Sequence, residues 1–254
     1  MNILALFAHP DDETMLAGGT LAALAASGHV VHVLLATRGE GGENGEPPVC
    51  SIEALGEVRE AEAACAAGIL GCESLEFFGY VDPRIGPGDQ LFAFEADIKT
   101  LTSEIRTALK SKEIQALLTH GSNGEYGHPA HLLVHSAAVA AVQSMSESQH
   151  FLYTVQAGYA NHPKPRIMNL DDPAHLVMDV SSVLETKIQA ASSHRTQHAS
   201  FVRRPSQAAG RLLSLRDVIL TEESLHRLIP TYRTGTSDPL FDSFPEIMKL
   251  TVTG

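Results

Sequence analysis

Residues 1–13 read MNILALFAHPDDE. The apolar run from Asn2 to Ala8 has the length of a strand and shows no alternation, the pattern of a strand buried on both faces. It stops at His9 and Pro10, and the acids Asp11, Asp12 and Glu13 follow. Such a strand belongs in an open, mostly parallel α/β sheet, where ligands bind outside the carboxyl ends of the strands. No basic segment precedes the run and no small-residue cleavage site follows it. The reading is therefore not a secretory signal, and a cytoplasmic location is expected.

Working outward, the pattern predicts a helix over 14–27 closed by Gly28, a strand over 30–36, a helix over 53–70 ended by Gly71, and a strand over 75–78. A helix over 94–109, a strand over 115–120 and a helix from Pro129 to about Met145 follow, the last with proline in its first turn. The Gly/Pro/Glu stretch 37–51 exceeds an ordinary connection and is expected to be mobile or functional, a candidate lid with Glu40 and Glu43 solvated. Strands over 151–156 and 176–180 and a helix over 183–192 come next, and the last 50 residues look irregular with some helix. The alternation predicts an α/β, Rossmann-like fold: a mostly parallel sheet with helices on both faces. One domain over 1–254 is expected, with a core of about 1–180 and a C-terminal elaboration of about 181–254. In the strand order 3-2-1-4-5 the first and fourth strands are neighbours, so HPDDE would face GSNGEYGHPAH at residues 121–131.

Composition narrows the function. Of 254 residues, 18 are Lys or Arg and 30 are Asp or Glu, a formal charge of -12. A nucleic-acid partner is not expected, because phosphate binding rests on clustered basic residues. No apolar run reaches the roughly 18 residues of a membrane span, so no membrane insertion is expected. The three cysteines, Cys50, Cys65 and Cys72, form no CxxC pair, which argues against a disulfide framework or thiolate-bound zinc. A nucleotide-binding Rossmann module would need GxGxxG after the first strand, and HPDDE stands there instead.

The 13 histidines carry the chemistry. In HPDDE, Asp12 and Glu13 suit a helix N-terminus, but a histidine cation there is disfavoured, so His9 with one aspartate also suits a divalent metal. His128 and His131 lie three apart and share a helix face. His29 and His32 have the same spacing on a strand, where it points side chains to opposite faces, and are read as structural. His131 with His135, and His194 with His198, lack the glutamate of a zinc-protease motif. Together the two clusters supply imidazoles and carboxylates without thiolate. That set suits a catalytic metal site with an open position, a spare carboxylate as base and a spare histidine for an oxyanion or leaving amine. Metal-assisted hydrolysis of an amide or ester is the expected reaction.

AHPDDE at residues 8–13 with YGHPAH at 126–131 resembles the LmbE/PIG-L family of zinc-dependent N-deacetylases. The likeness runs in order through about residues 1–133 and is thinner beyond, where KIQAASSHRTQ at 187–197 is similar to a segment of sugar-thiol members. The resemblance implies His9, Asp12 and His131 as metal ligands, Asp11 as general base, and His128 as the charged stabiliser of the tetrahedral intermediate. It implies Tyr126 as a carbonyl-polarising group and Arg59 as a substrate contact, with Asp82 and His194 added as substrate-side candidates. An i,i+3 pair with Glu62 on an exposed face competes for Arg59, a loop aromatic in solvent for Tyr126, and a surface or interface histidine for His194. Zn2+ is the implied cofactor, with Fe2+ compatible with the same ligands. The implied substrate is an N-acetylglucosamine-type conjugate, and a homo-oligomer is suggested. An amidase for a larger acyl group of a sugar-thiol conjugate and a catalytically silent metal-binding protein are the alternatives. Many relatives carry an acid where this chain has Ala130, which bears on the charge of His128.

Overall fold

A computed structural model describes residues 1–145, 150–233 and 235–250. The chain order is β1 (Asn2–Phe7), α1 (Asp12–Ala26), β2 (Val30–Thr37), α2 (Leu55–Leu70), β3 (Ser74–Tyr80), α3 (Ile98–Ser111) and β4 (Ala116–Thr119). A single turn α4 (Gly124–Gly127), α5 (Pro129–Gln143), β5 (Phe151–Val155), and the short pair β6 (Ala157–Gly158) and β7 (Asn169–Pro173) follow. The chain closes with β8 (Leu176–Asp179), α6 (Leu184–Ser193), α7 (His198–Ala209), α8 (Leu215–Val218), β9 (Glu222–Ile229) and β10 (Lys249–Leu250).

Eight strands form one sheet in the order β10-β8-β9-β5-β4-β1-β2-β3. The run β3-β2-β1-β4-β5 is parallel throughout, as the alternation predicts. Strands β9, β8 and β10 extend it with antiparallel pairing. Helices α1, α2 and α6 pack together, and α3 packs with α5. Two apolar clusters result, one holding Ile3, Ala5 and Phe7 of β1 with residues of α1 and α2, the other Leu4 and Leu6 with residues of α3 and α5. The β1 side chains thus feed both layers, which explains why its sequence does not alternate. Helix α3 shows the opposite pattern: Leu101, Ile105 and Leu109 form one buried stripe, and the Asp97 side chain caps it by accepting from Thr100 N at 2.9 Å. Each such leucine contributes about 1.5–3 kcal/mol on burial and the cap about 1 kcal/mol.

The sheet does not stop at residue 180. Strand β9, from the stretch expected to be irregular, lies between β5 and β8. Its sequence EESLHRLI hides a strand because Glu223 and Arg227 are buried charges, paired with Lys187 and Asp238. Among the described residues no helix is long and apolar enough to cross a membrane.

Register fixes the crevice. Leu6 pairs with Leu34 on one side and with Thr119 on the other, so β1 and β4 end side by side. Ala8 N donates to His120 Nε2 at 2.9 Å and Thr119 Oγ1 to Leu6 O at 2.8 Å, stitching the two ends together. The loop over 38–54 is held on both flanks. Arg203 of α7 grips the Glu43 carboxylate at 2.6 and 2.7 Å, and Gln197 Nε2 donates to Glu43 O at 2.6 Å. Glu40 accepts from Arg38 Nε and Asp82 N. Both glutamates, expected to be solvated, are therefore engaged.

Candidate metal centre

After β1 the chain turns sharply. Asp11 adopts φ 103° and ψ -28° at the N-cap of α1, yet its side chain makes no capping bond. Asp12 opens the helix and folds its carboxylate back: Oδ2 accepts from His9 N at 2.9 Å and lies 3.3 Å from His9 Nδ1. Across the crevice, α5 begins with the His128 side chain as its cap, and its first turn presents His131. His131 Nε2 lies 3.4 Å from Asp12 Oδ2. His9, Asp12 and His131 are all buried and offer donor atoms within 4.8 Å of one another. Two segments more than a hundred residues apart thus converge, as the switch-point argument requires.

The donor set fits a divalent cation. Nε2 of His9 and of His131 are both buried without a hydrogen-bond partner. His131 Nδ1 is taken up by Glu125 Oε2 at 2.6 Å, which leaves the Nε2 lone pair directed elsewhere. Unpartnered buried nitrogens are costly unless something binds them. The electrostatics agree. Burial opposes charge on His9, but Asp12 and Asp82 outweigh it and raise the imidazole to about 9. Burial likewise opposes charge on His131, and Asp12 with Glu125 lifts it to about 10. The acids around these rings call for positive charge, which a divalent ion would supply.

His120, Glu125 and His131 form a second buried His/acid group. Here the Glu125 carboxylate and both nitrogens of His120 are engaged within the protein. Glu125 Oε2 accepts from His131 Nδ1 and from His120 Nδ1 at 3.0 Å, and Oε1 accepts from Gly121 N at 3.0 Å and Asn169 Nδ2 at 3.1 Å. His120 Nε2 already accepts from Ala8 N, so its proton sits on Nδ1. This group orients His131 from behind, the carboxylate–histidine support common around metal ligands. Sequence reading missed Glu125 and His120 as functional. The signal was present: His120 is the first residue beyond the fourth strand, and Glu125 is the acid of GEYGHPAH.

The remaining candidates divide. Asp11 lies beside Arg59, with Oδ2 3.3 Å from Nη2. Burial pushes its carboxyl up to about 7, while Arg59 pulls the other way. Asp82 is drawn in, its Oδ1 3.4 Å from His9 Nε2. His128 stacks on His131 with ring centroids 4.6 Å apart, and Tyr126 sets its ring edge against both, half-exposed at the mouth. His128 Nδ1 accepts from Ala130 N at 3.1 Å, so any proton of the neutral ring is on Nε2. Burial, then the His9 and His131 charges, lower its pKa to about 3. With Nδ1 accepting from the Ala130 amide, the ring as placed is a neutral donor through Nε2, where the resemblance implies a charged group, and a helix N-terminus disfavours a cation there too.

Arg59 is buried and both terminal nitrogens are engaged: Nη1 donates to Gly39 O at 2.9 Å, and Nη2 to Pro10 O and Asp11 Oδ2. Gly39 has φ +70°, and a Cβ there would lie 2.2 Å from Nη1, so glycine is required for this approach. Arg59 is a strut between loops, and no pair with Glu62 forms. Glu62 instead accepts from Thr196 N at 3.0 Å and Oγ1 at 2.6 Å. His194 is fully buried, on Glu13 rather than at the crevice surface, which removes both direct substrate contact and a surface role. His29 and His32 are structural, Nδ1 of the former on the Met1 amine and of the latter on Ser74 Oγ.

A Rossmann-like sheet with a buried His/Asp/His donor set at its switch point defines an α/β protein with a candidate metal site. Residues 4–142, which carry both clusters, match the family described as PIG-L: GlcNAc-PI de-N-acetylase. The chain belongs to that family, as AHPDDE and YGHPAH led us to expect. The 1D-myo-inositol 2-acetamido-2-deoxy-alpha-D-glucopyranoside deacetylase of Rhodococcus jostii (strain RHA1) is 30% identical over 237 residues, covering 77% of this chain and 81% of that protein. Among solved structures, the N,N'-diacetylchitobiose deacetylase of Pyrococcus horikoshii aligns with a TM-score of 0.62 at 16% identity, over 89% of this chain and 83% of that one. The 4-carboxy-2-hydroxymuconate hydratase of Pseudomonas putida KT2440 aligns with a TM-score of 0.60 at 22% identity, over 93% and 99%. These two likenesses establish the fold, which evidently hosts more than one chemistry.

Proposed function

We propose that this protein is a zinc-dependent N-deacetylase that hydrolyses the acetamide of a 2-acetamido-2-deoxy-glucopyranoside conjugate. The observation that carries the reading is the convergence of His9, Asp12 and His131 beside a carboxylate, Asp11, that is not needed to complete the donor set. His9, Asp12 and His131 would hold the ion, and Fe2+ suits the same donors. Bound there, a divalent cation lowers the pKa of water and polarises a carbonyl oxygen. Asp11 takes the proton of the attacking water and returns it to the departing amine, a role suited to a carboxyl whose pKa lies near neutrality. The His128 Nε2–H and the Tyr126 hydroxyl stabilise the developing oxyanion as neutral donors. Arg59 holds the Asp11 carboxylate, and Asp82 borders the mouth and steadies His9. The substrate class follows the Rhodococcus relative, whose coverage of both chains is extensive.

The test is release of free amine from N-acetylglucosamine glycosides by the zinc-loaded protein. Asp11→Ala is expected to keep its metal and lose about 10² or more in turnover. Full turnover by that variant would refute the role of Asp11, and no amine release across the glycoside panel would refute the activity.

A further inference from the structure

Asp11 raises a question that the reaction alone does not answer. A residue at a helix N-cap ordinarily turns its carboxylate onto the amides of the first turn. Asp11 does not, and an L-residue at φ 103° needs support from its surroundings. That support comes from behind α1. Asp11 N donates to Glu13 Oε2 at 2.9 Å. Glu13 is fully buried, and its other oxygen accepts from Thr14 Oγ1 at 2.8 Å and faces His194 Nε2 at 2.9 Å. His194 closes α6 and is itself fully buried. Thus a histidine 183 positions along the chain from Asp11 fixes the acid that fixes the Asp11 peptide. Neither Glu13 nor His194 belongs to the buried groups that could hold the ion.

We infer that Glu13 and His194 are positioning residues for Asp11: they hold its backbone in the turn that frees the carboxylate from helix capping and leaves it beside Arg59 at the crevice. The inference rests on Asp11 as the proton acceptor proposed above. It predicts that damage to His194 acts through Asp11 and through nothing else.

The experiment compares His194→Leu, His194→Gln and Glu13→Gln, each with Asp11 intact and with Asp11→Asn, in zinc-loaded protein acting on methyl 2-acetamido-2-deoxy-α-D-glucopyranoside. Metal content is read by elemental analysis, and exchange of the Asp11 amide by NMR on metal-free protein. His194→Leu is expected to lower kcat about 10- to 100-fold, the scale of a small misplacement of a reacting group, with KM within about 3-fold and metal content unchanged. The Asp11 amide should exchange faster. His194→Gln, whose Nε2 can still donate to Glu13, should recover most of the loss. With Asp11→Asn already present, His194→Leu should cost nothing further. Unchanged kcat in His194→Leu, an equal loss with Asp11→Asn present, or loss of metal would each overturn the inference. Glu13→Gln, whose amide oxygen can serve only one side of the chain of donors, is read the same way should His194→Leu fail to fold. Full turnover by Asp11→Asn alone would instead remove the premise, so the two failures are distinguishable.

Discussion

At the scale of single residues, the centre depends on groups that never touch the ion. Glu125 spends all four of its lone pairs inside the protein, two of them on histidine nitrogens. Glu125→Gln replaces an acceptor by a donor opposite an N–H, so His131 loses its fixed tautomer. The expected outcome is a 10- to 100-fold weaker zinc affinity, measured by competition with a chromogenic chelator, with the fold retained. His131→Ala should abolish stoichiometric binding in the same assay. Much of this was legible in the primary structure. His9, Asp12, His131 and Asp11 stand in short motifs whose residue types point to a metal site, but only the family resemblance assigned one aspartate to the ion and the other to the proton. Arg59 and His194 were legible only as candidates, because their partners, Pro10 O, Gly39 O and Glu13, are met through the tertiary fold. The state of His128 was hidden for another reason: it depends on a backbone amide, that of Ala130, and a list of side chains does not display amides.

At the scale of elements, the parallel strands announced themselves because both faces are apolar, and the antiparallel extension did not. In β9 the inward positions include Glu223 and Arg227, whose partners lie on α6 and near residue 238, so no hydrophobic period survives. The junction of β8 and β9 supplies a pH test. His175 Nδ1 accepts from Arg227 N at 3.0 Å, and the ring stacks on His226 with centroids 4.4 Å apart. Burial first, then the nearby His226 and Arg227 charges, lower its pKa from 6.5 to about 4. In that window the unfolded chain takes up a proton that the folded chain refuses, so this site's contribution to stability is present above pH 6.5 and is lost as the pH falls toward 4. His175→Asn, which keeps an acceptor for Arg227 N and cannot titrate, should lose less Tm than the parent between pH 7 and about 4.5, as read by scanning calorimetry. Equal losses would show that His175 does not titrate differently on folding.

At the scale of the whole molecule, a buried ion pair of the late half of the chain is tied to the early half through the Glu223 carboxylate. Lys187 Nζ of α6 lies 2.6 Å from Glu223 Oε1 of β9, and Glu223 also accepts from Gly19 N, Thr20 N and Thr20 Oγ1 of α1. Lys187→Met strands a buried carboxylate and is expected to cost about 3–5 kcal/mol in urea unfolding, with much of the loss restored by adding Glu223→Gln. No recovery in the double variant would mean that packing, rather than charge, dominates there. The position of β9 has a further consequence for synthesis of the protein. Strand β5 has β4 on one flank from the moment both exist, but its other flank stays bare until residues 222–229 leave the ribosome. Between the emergence of β5 and that of β9 the nascent sheet therefore carries an open hydrogen-bonding edge on this flank, the kind that recruits foreign strands and seeds aggregates. A stop codon placed before residue 222 should yield insoluble protein in place of a shortened enzyme, and chaperone demand should ease only once those late residues have emerged.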